Sequence, residues 1–362
     1  RSWFRGFPDA EEAEERHQTG KMMVGTTQRS VGRLVRRSQP VLSKLFRPTH
    51  STPPTHTSRL SAGVAASRVR HMQPTSPIAA HPGAGARTMS TSGSGNTSTF
   101  STELVGVEVS NHVATMTLQD QKTRNCLSTA MMRDITSIIE KLEADTTVKV
   151  AIITHTGKVF SSGHNLKELQ LTHETTGCTK DIFETCNKLM LKIRSTRLPV
   201  IASISGFATA AGCQLAATAD LCIVAEGSSF STPGVSIGLF CHTPGVALGR
   251  AVGTKAAMHM LLTGDTMTAE QAQRAGMVND IVKPEDLATH TRAVADKIAK
   301  APSAVVGLGK HTFYEQMSHG DIAQAYRLAG QTMQDNMAYP DAKEGIGAFI
   351  DKRQPRWTDA IL

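Results

Sequence analysis

Residues 21–102 contain no aspartate or glutamate, although they hold 11 lysines and arginines. Residues 103–362 carry 25 basic and 26 acidic side chains, and residues 1–20 carry 3 basic and 5 acidic ones. The net charge of +8 therefore belongs to one segment, and the body of the chain is near neutral. A nucleic-acid-binding domain needs a basic face on its folded part, so that class of function has no support.

Aromatic residues are also scarce, at 4%, while glycine is common at 29 residues. With a hydrophobic fraction of 40%, this suits an α/β or helix-rich enzyme with close backbone contacts better than an all-β sandwich. None of the 6 cysteines stands in a CxxC pair, and no Cys/His cluster has zinc spacing. They read as free thiols in a reducing compartment, with no metal implied. Residues 198–219 and 227–249 lack charged side chains altogether. Their length alone fits a membrane helix. Pro199, Gly206, Gly212, Pro233, Gly234, Pro244 and Gly245 interrupt them, so they read as buried strand–turn–helix walls of a pocket. No membrane span is expected.

Four segments are expected. Residues 1–20 hold the acidic run Glu11-Glu12-Ala13-Glu14-Glu15 and read as an upstream extension, Met22 or Met23 being the better start. Residues 21–99 combine arginines, hydroxyl residues and a rough helical spacing of Val31, Leu34, Val35, Leu42 and Leu45. That is the composition of a mitochondrial presequence followed by a Ser/Thr/Pro-rich linker, the plainer reading being a disordered basic tail. Residues 100–285 form the core and residues 286–362 a helical C-terminal region.

Ordered structure is expected from about Glu103. Residues 104–109 and 113–118 flank Ser110-Asn111 as a hairpin. Ser128 can cap a helix running to about Ala144, with Ile135, Ile138, Ile139 and Leu142 on one face. Residues 148–154, 199–205 and 221–224 read as strands, and residues 180–195 and 210–219 as helices. Alternating strand, loop and helix argue for parallel strands with helical crossovers.

Two stretches carry chemistry. In Phe160-Ser161-Ser162-Gly163-His164-Asn165 a buried strand ends in a glycine-containing loop with free backbone N–H groups. In residues 199–215 a strand turns into a helix whose first turn is Ala210-Ala211-Gly212, small enough for a ligand to lie against the helix N-terminus. Together they resemble the crotonase (enoyl-CoA hydratase/isomerase) superfamily. The likeness continues through Ser229-Phe230-Ser231-Thr232-Pro233-Gly234, Leu248-Gly249-Arg250 and Glu344-Gly345-Ile346-Gly347, over about residues 103–357.

The resemblance implies an α/β spiral of ββα units with a C-terminal helical trimerisation region, assembled as a homotrimer or hexamer. It implies an acyl-CoA thioester as ligand, no other cofactor, and a place in fatty-acid metabolism in the mitochondrial matrix. It assigns the N–H groups of His164 and Ala211 as donors to the thioester oxygen. Residues Arg124, Ser161, Ser162, Gly163, His164, Lys167, Phe349 and Lys352 match CoA-binding positions, although each basic one could equally be solvated surface.

The departures are sharper than the matches. The family's hydratases use two glutamates, and those positions are Gln214 and Gly234 here. An amide is no base at neutral pH and glycine has no side chain, so hydratase activity is expected to be weak or absent. His242, beside Cys241, is a candidate base or a packing histidine. The His164 imidazole could stack on a ligand or only fill space. Three functions remain open: acyl-CoA binding with little turnover, other acyl-CoA chemistry (thioester hydrolysis, decarboxylation or isomerisation), and a non-catalytic assembly partner.

Overall fold

The computed structural model describes residues 97–174 and 178–359, so the expectations for residues 1–96 lie outside it. Its first strand, β1 (Thr97–Ser101), starts earlier than the expected onset near Glu103. This Ser/Thr-rich edge strand has no apolar alternation to betray it; antiparallel pairing with β2 (Val105–Ser110) holds it. In β2, Val105, Val107 and Val109 point inward in alternation. The turn to β3 (Val113–Leu118) is made by Asn111 and His112, both at positive φ, as a two-residue hairpin turn requires.

Helix α1 (Thr129–Ala144) begins where Ser128 Oγ accepts from the Met131 N–H at 3.1 Å. Met131, Ile135, Ile138, Ile139 and Leu142 form its buried stripe.

Three units then repeat one plan, a strand in a large sheet, a short strand in a small sheet, then helix. The first is β4 (Val150–His155), β5 (Val159–Ser161), α2 (Leu166–Glu174) and α3 (Cys178–Ser195). The second is β6 (Val200–Ile204), β7 (Phe207–Thr209) and α4 (Ala211–Thr218). The third is β8 (Leu221–Ala225), β9 (Ser229–Ser231), α5 (His242–Ala251) and α6 (Thr254–Thr263). β10 (Met267–Thr268), α7 (Ala269–Ala275) and β11 (Asp280–Val282) close the two sheets.

The large sheet runs β1-β2-β3-β4-β6-β8-β11 and the small one β10-β9-β7-β5. From β3 to β11 the large sheet is parallel, with helical connections, as the alternation implied. Strands β5, β7, β9 and β10 have at most three residues, too few for a period to show in sequence.

Both faces of the large sheet are covered. Met116, Ile153, Ala202 and Val224 face the main core with α1 and α3, while Val113, Ile152, Ile201 and Ile223 pack on Leu287, Ala295 and Ala299 of α8 (Leu287–Ala299). Helices α9 (Ser303–Gln316), α10 (Ile322–Met337) and α11 (Pro340–Ile350) complete the C-terminal region. They leave Phe313, Met317, Tyr326, Met333 and Phe349 exposed. The architecture is the expected α/β spiral of ββα units with C-terminal helices. Among the described residues no helix is long and apolar enough to cross a membrane.

Candidate functional site

The site forms where β5 and β7 of the small sheet end side by side. Their parallel pairing sets Ser161 opposite Ala208, so the loop after β5 meets the first turn of α4. Two glycines make this approach possible. A Cβ on Gly212 would lie 2.4 Å from the Ser161 carbonyl oxygen. A Cβ on Gly163 (φ +86°) would lie 2.8 Å from Cβ of Ala210 and 3.2 Å from N of Ala211. The two sequence-predicted loops are thus in direct contact.

Hydrogen bonds decide which amides are available. The Ser162 N–H donates to the Arg124 carbonyl at 3.1 Å, and the Gly163 N–H donates to Ser161 Oγ at 3.2 Å. The Leu127 N–H holds the Gly163 carbonyl at 2.8 Å. The N–H groups of His164 and Ala211 find no acceptor among the described residues. Ala211 opens α4, where an N–H lacks an intrahelical partner and the helix dipole favours negative charge.

Ala210, which precedes it, has φ 50° and ψ −118°, a region L residues rarely enter. Sequence reasoning missed this strain. Its N–H is tied to the Ser231 carbonyl at 2.9 Å, so β9 anchors the kink that precedes Ala211. Such strain clusters at functional sites.

Gln214 is buried one turn further along α4. Its Oε1 lies 3.8 Å from Sγ of Cys186 on α3. Burial pushes the Cys186 thiol up to about 12, so it stays protonated and donates. Gly234 follows β9 in a 3-10 turn (Pro233–Ile237), and a Cβ there would sit 2.5 Å from the Leu239 carbonyl oxygen. His242 stands on the exposed first turn of α5, its ring 4.9 Å from that of Phe240.

The His164 ring is enclosed. Nδ1 lies 3.4 Å from the Leu127 carbonyl oxygen, Phe183 of α3 meets the ring edge-on at 5.5 Å, and Nε2 is buried without a partner among the described residues. Burial lowers its pKa, against the opposing pull of the Leu127 carbonyl and the Glu168 carboxylate. Glu168 is the ionisable group that sequence reasoning overlooked. Its Oε2 accepts from the Thr129 N–H at 3.0 Å and from Thr129 Oγ1 at 2.9 Å. It therefore caps α1 from 39 residues away, a distance that hides it from any local motif.

The expected CoA-binding positions divide. Arg124, Ser161, Ser162, Gly163 and His164 gather around the β5 loop, and Lys167 follows on the exposed first turn of α2. Phe349 lies in the last turn of α11 and Lys352 just after it, and among the described residues no hydrogen bond joins them to that loop. No group of three metal-ligating side chains occurs among the described residues. The loop after β5 and the first turn of α4 thus each present a backbone N–H without an acceptor among the described residues, and positions 214 and 234 carry no ionisable side chain.

Residues 108–360 match the family model described as enoyl-CoA hydratase/isomerase. The mouse protein named enoyl-CoA hydratase domain-containing protein 3, mitochondrial, is 45% identical over 247 residues, covering 68% of this chain and 81% of the relative. A probable enoyl-CoA hydratase of Mycobacterium bovis is 31% identical over 260 residues, covering 71% of this chain and 98% of the relative. The crystal structure of human enoyl Coenzyme A hydratase domain-containing protein 3 superposes with a TM-score of 0.68 at 44% identity, covering 70% of this chain and 100% of that one.

Proposed function

The chain belongs to the enoyl-CoA hydratase/isomerase (crotonase) family, and on that premise we propose that it binds an acyl-CoA thioester while hydrating enoyl-CoA weakly or not at all. The thioester oxygen accepts from the N–H groups of His164 and Ala211. One observation carries the reading: two loops converge to leave these two amides unpaired, while Gln214 and Gly234 offer no ionisable group. Donors fixed in a dry site stabilise charge developing on a carbonyl oxygen. Hydration also needs a base for water and an acid for the α-proton, and each such group contributes roughly 10²–10⁴ in rate.

Arg124, Ser161, Ser162, Gly163 and Lys167 form the mouth for the CoA moiety. Phe349 and Lys352 reach a ligand only from a neighbouring subunit, which fits assembly as a homotrimer or hexamer through the exposed apolar side chains of α9–α11. The basic, acid-free segment and the names of the relatives support a mitochondrial location; the matrix and a place in fatty-acid metabolism follow from the acyl-CoA reading.

The test screens the full chain against acyl-CoAs for thermal stabilisation and for products. Stabilisation by CoA esters, with crotonyl-CoA left unhydrated, is expected. Efficient hydration overturns the mechanistic half. Formation of another product establishes a different acyl-CoA chemistry, and no stabilisation by any CoA ester makes the chain a non-catalytic assembly partner.

A further inference from the structure

The chain turns sharply just after α11. Lys352 has φ 54°, in the left-handed region. The Arg353 N–H donates to the Ala348 carbonyl at 3.0 Å and the Lys352 N–H to the Phe349 carbonyl at 3.3 Å, the pair of bonds that ends a helix in a Schellman turn. Glycine usually takes this position, because a Cβ is strained there. Lysine adds nothing to the turn that glycine would not supply, so its presence points to a use for the side chain. Lys352 is exposed, and Phe349, three residues before it, is 87% exposed.

The segment that follows holds this strained turn. Residues 353–359 run back along α11, against its direction. Arg353 Nη1 and Nη2 donate to the two Glu344 carboxylate oxygens at 2.7 and 3.0 Å, and the Arg356 N–H donates to Glu344 Oε1 at 2.7 Å. The Trp357 indole lies on the helix backbone, where a Cβ on Gly345 would stand 3.1 Å from it. Thr358 donates from its N–H and its hydroxyl to Asp341 Oδ1 at 2.7 and 2.9 Å. Three further contacts reach beyond α11. Trp357 Nε1 donates to the Lys300 carbonyl, just past α8, at 2.8 Å. Asp359 accepts from the Ser303 N–H at 3.2 Å, at the start of α9, where Pro302 offers no capping side chain. A carboxylate is favoured at a helix N-terminus. Asp359 also pairs at 2.8 Å with Lys149, which precedes β4. The tail thus fixes α11 against α8, α9 and the start of β4.

Backbone strain persists only where the surroundings over-determine it. We propose that residues 353–359 are a strap that holds Lys352 and Phe349 toward the CoA moiety bound by a neighbouring subunit, with Trp357 and Asp359 as the positioning residues. The inference rests on the acyl-CoA reading above and adds to it the device that sets the contact across subunits. Without the strap, Lys352 leaves the left-handed region and its side chain swings away from the ligand. Trp357 and Asp359 do not touch the ligand themselves; both act through Lys352.

A double-mutant cycle on the full chain, read by calorimetric titration with butanoyl-CoA, tests it. Lys352→Ala should weaken binding about tenfold, the value of one charge-assisted contact. Trp357→Ala should weaken it by a similar factor, and Trp357→Phe, which keeps a ring on Gly345, should recover most of that loss. In the Trp357→Ala background, Lys352→Ala should cost no more than about twofold further, because the contact is already gone. Losses that multiply in full show that the tail and Lys352 act separately and overturn the inference, as does parent-like binding by either single variant; acyl-CoA binding is then left standing. Asp359→Asn is the smaller change, and the same cycle with it gives the same decision where Trp357→Ala does not fold. If the parent binds neither butanoyl-CoA nor free CoA, the acyl-CoA reading falls and takes this inference with it.

Discussion

Sγ of Cys241 lies 2.8 Å from the point a Cβ on Gly234 would occupy, so the thiol fills the space that a glutamate at 234 would need. The Leu239 carbonyl oxygen closes the same space from the backbone side at 2.5 Å. The packing thus leaves no room for a side chain at position 234. Gly234→Glu should destabilise the protein by about 1–3 kcal/mol through overpacking. It should leave crotonyl-CoA hydration undetectable. Thermal unfolding and a hydration assay check both, and a well-folded variant that hydrates contradicts the geometry.

Position 214 differs, because glutamate has the size of glutamine. Gln214→Glu should fold, yet it supplies one carboxylate where the chemistry needs two. Hydration should remain about 10²–10⁴ below that of a two-glutamate site. The buried acid would also face the protonated Cys186 thiol with little solvent, which raises its pKa and weakens it as a proton acceptor at low pH. A rate rising with pH, if any appears, is the expected signature.

Ala210 supplies a third test. At φ 50° and ψ −118° its methyl group is strained, and glycine adopts this conformation freely. Ala210→Gly should stabilise the chain by about 1 kcal/mol, the strain relieved outweighing the entropy glycine adds to the unfolded state. For a domain of this size the thermal midpoint should rise by about 2–4 °C. The Ala211 amide should keep its direction, because Ser231 still accepts from residue 210.

These positions show where sequence reading succeeded and where it stopped. The hairpin at Asn111, the Ser128 cap and the buried runs of β4, β6 and β8 carry local signals, and each stands close to its expected place. Gly212 was legible as a small residue making room for a ligand, but its missing Cβ makes room for the Ser161 carbonyl oxygen, which a Cβ would meet at 2.4 Å. The end of a strand was legible at Phe160-Ser161, where β5 stops, but β7 and β9 were not, since three residues hold no period and their pairing is set by the spiral. Glu168 and Thr129 meet across 39 residues, and the Cys186–Gln214 contact joins two helices, so neither pair leaves a local trace. The strain at Ala210 is a backbone property that its side chain does not announce.

Two half-buried histidines give the protein a pH dependence of defined sign. Burial holds both His155 and His164 below the ordinary value of 6.5. His155 Nε2 accepts from the Ser205 N–H at 3.1 Å, a bond that protonation there would break. The unfolded chain takes up these protons first as pH falls, so stability is complete above about 6.5 and is lost progressively below it, down to the folded-state pKa values. The thermal midpoint should be flat between pH 7 and 8 and should decline below pH 6.5. His164→Phe should make that decline shallower.

The last prediction concerns how the C-terminal region is held to the spiral. Lys310 of α9 is almost fully buried, and its Nζ donates to Asp220 Oδ2 at 2.7 Å and to the carbonyl oxygens of Ile193 and Leu198 at 2.8 Å. Asp220 also accepts from the Tyr314 hydroxyl at 2.6 Å and from the Val200 N–H at 2.7 Å, so one carboxylate ties α9 to the start of β6. Arg194 covers the Tyr314 ring at 3.7 Å. Removing one partner leaves a buried charge uncompensated, which costs about 3–5 kcal/mol. Lys310→Met should lose stability on that scale, because Asp220 keeps its charge and two backbone carbonyls lose their donor. Adding Asp220→Asn should recover part of the loss, since the charge is then gone while donors from Val200 and Tyr314 remain. Denaturant unfolding of the two variants decides the point: if the single variant is as stable as the parent, the ion pair does not hold α9 in place.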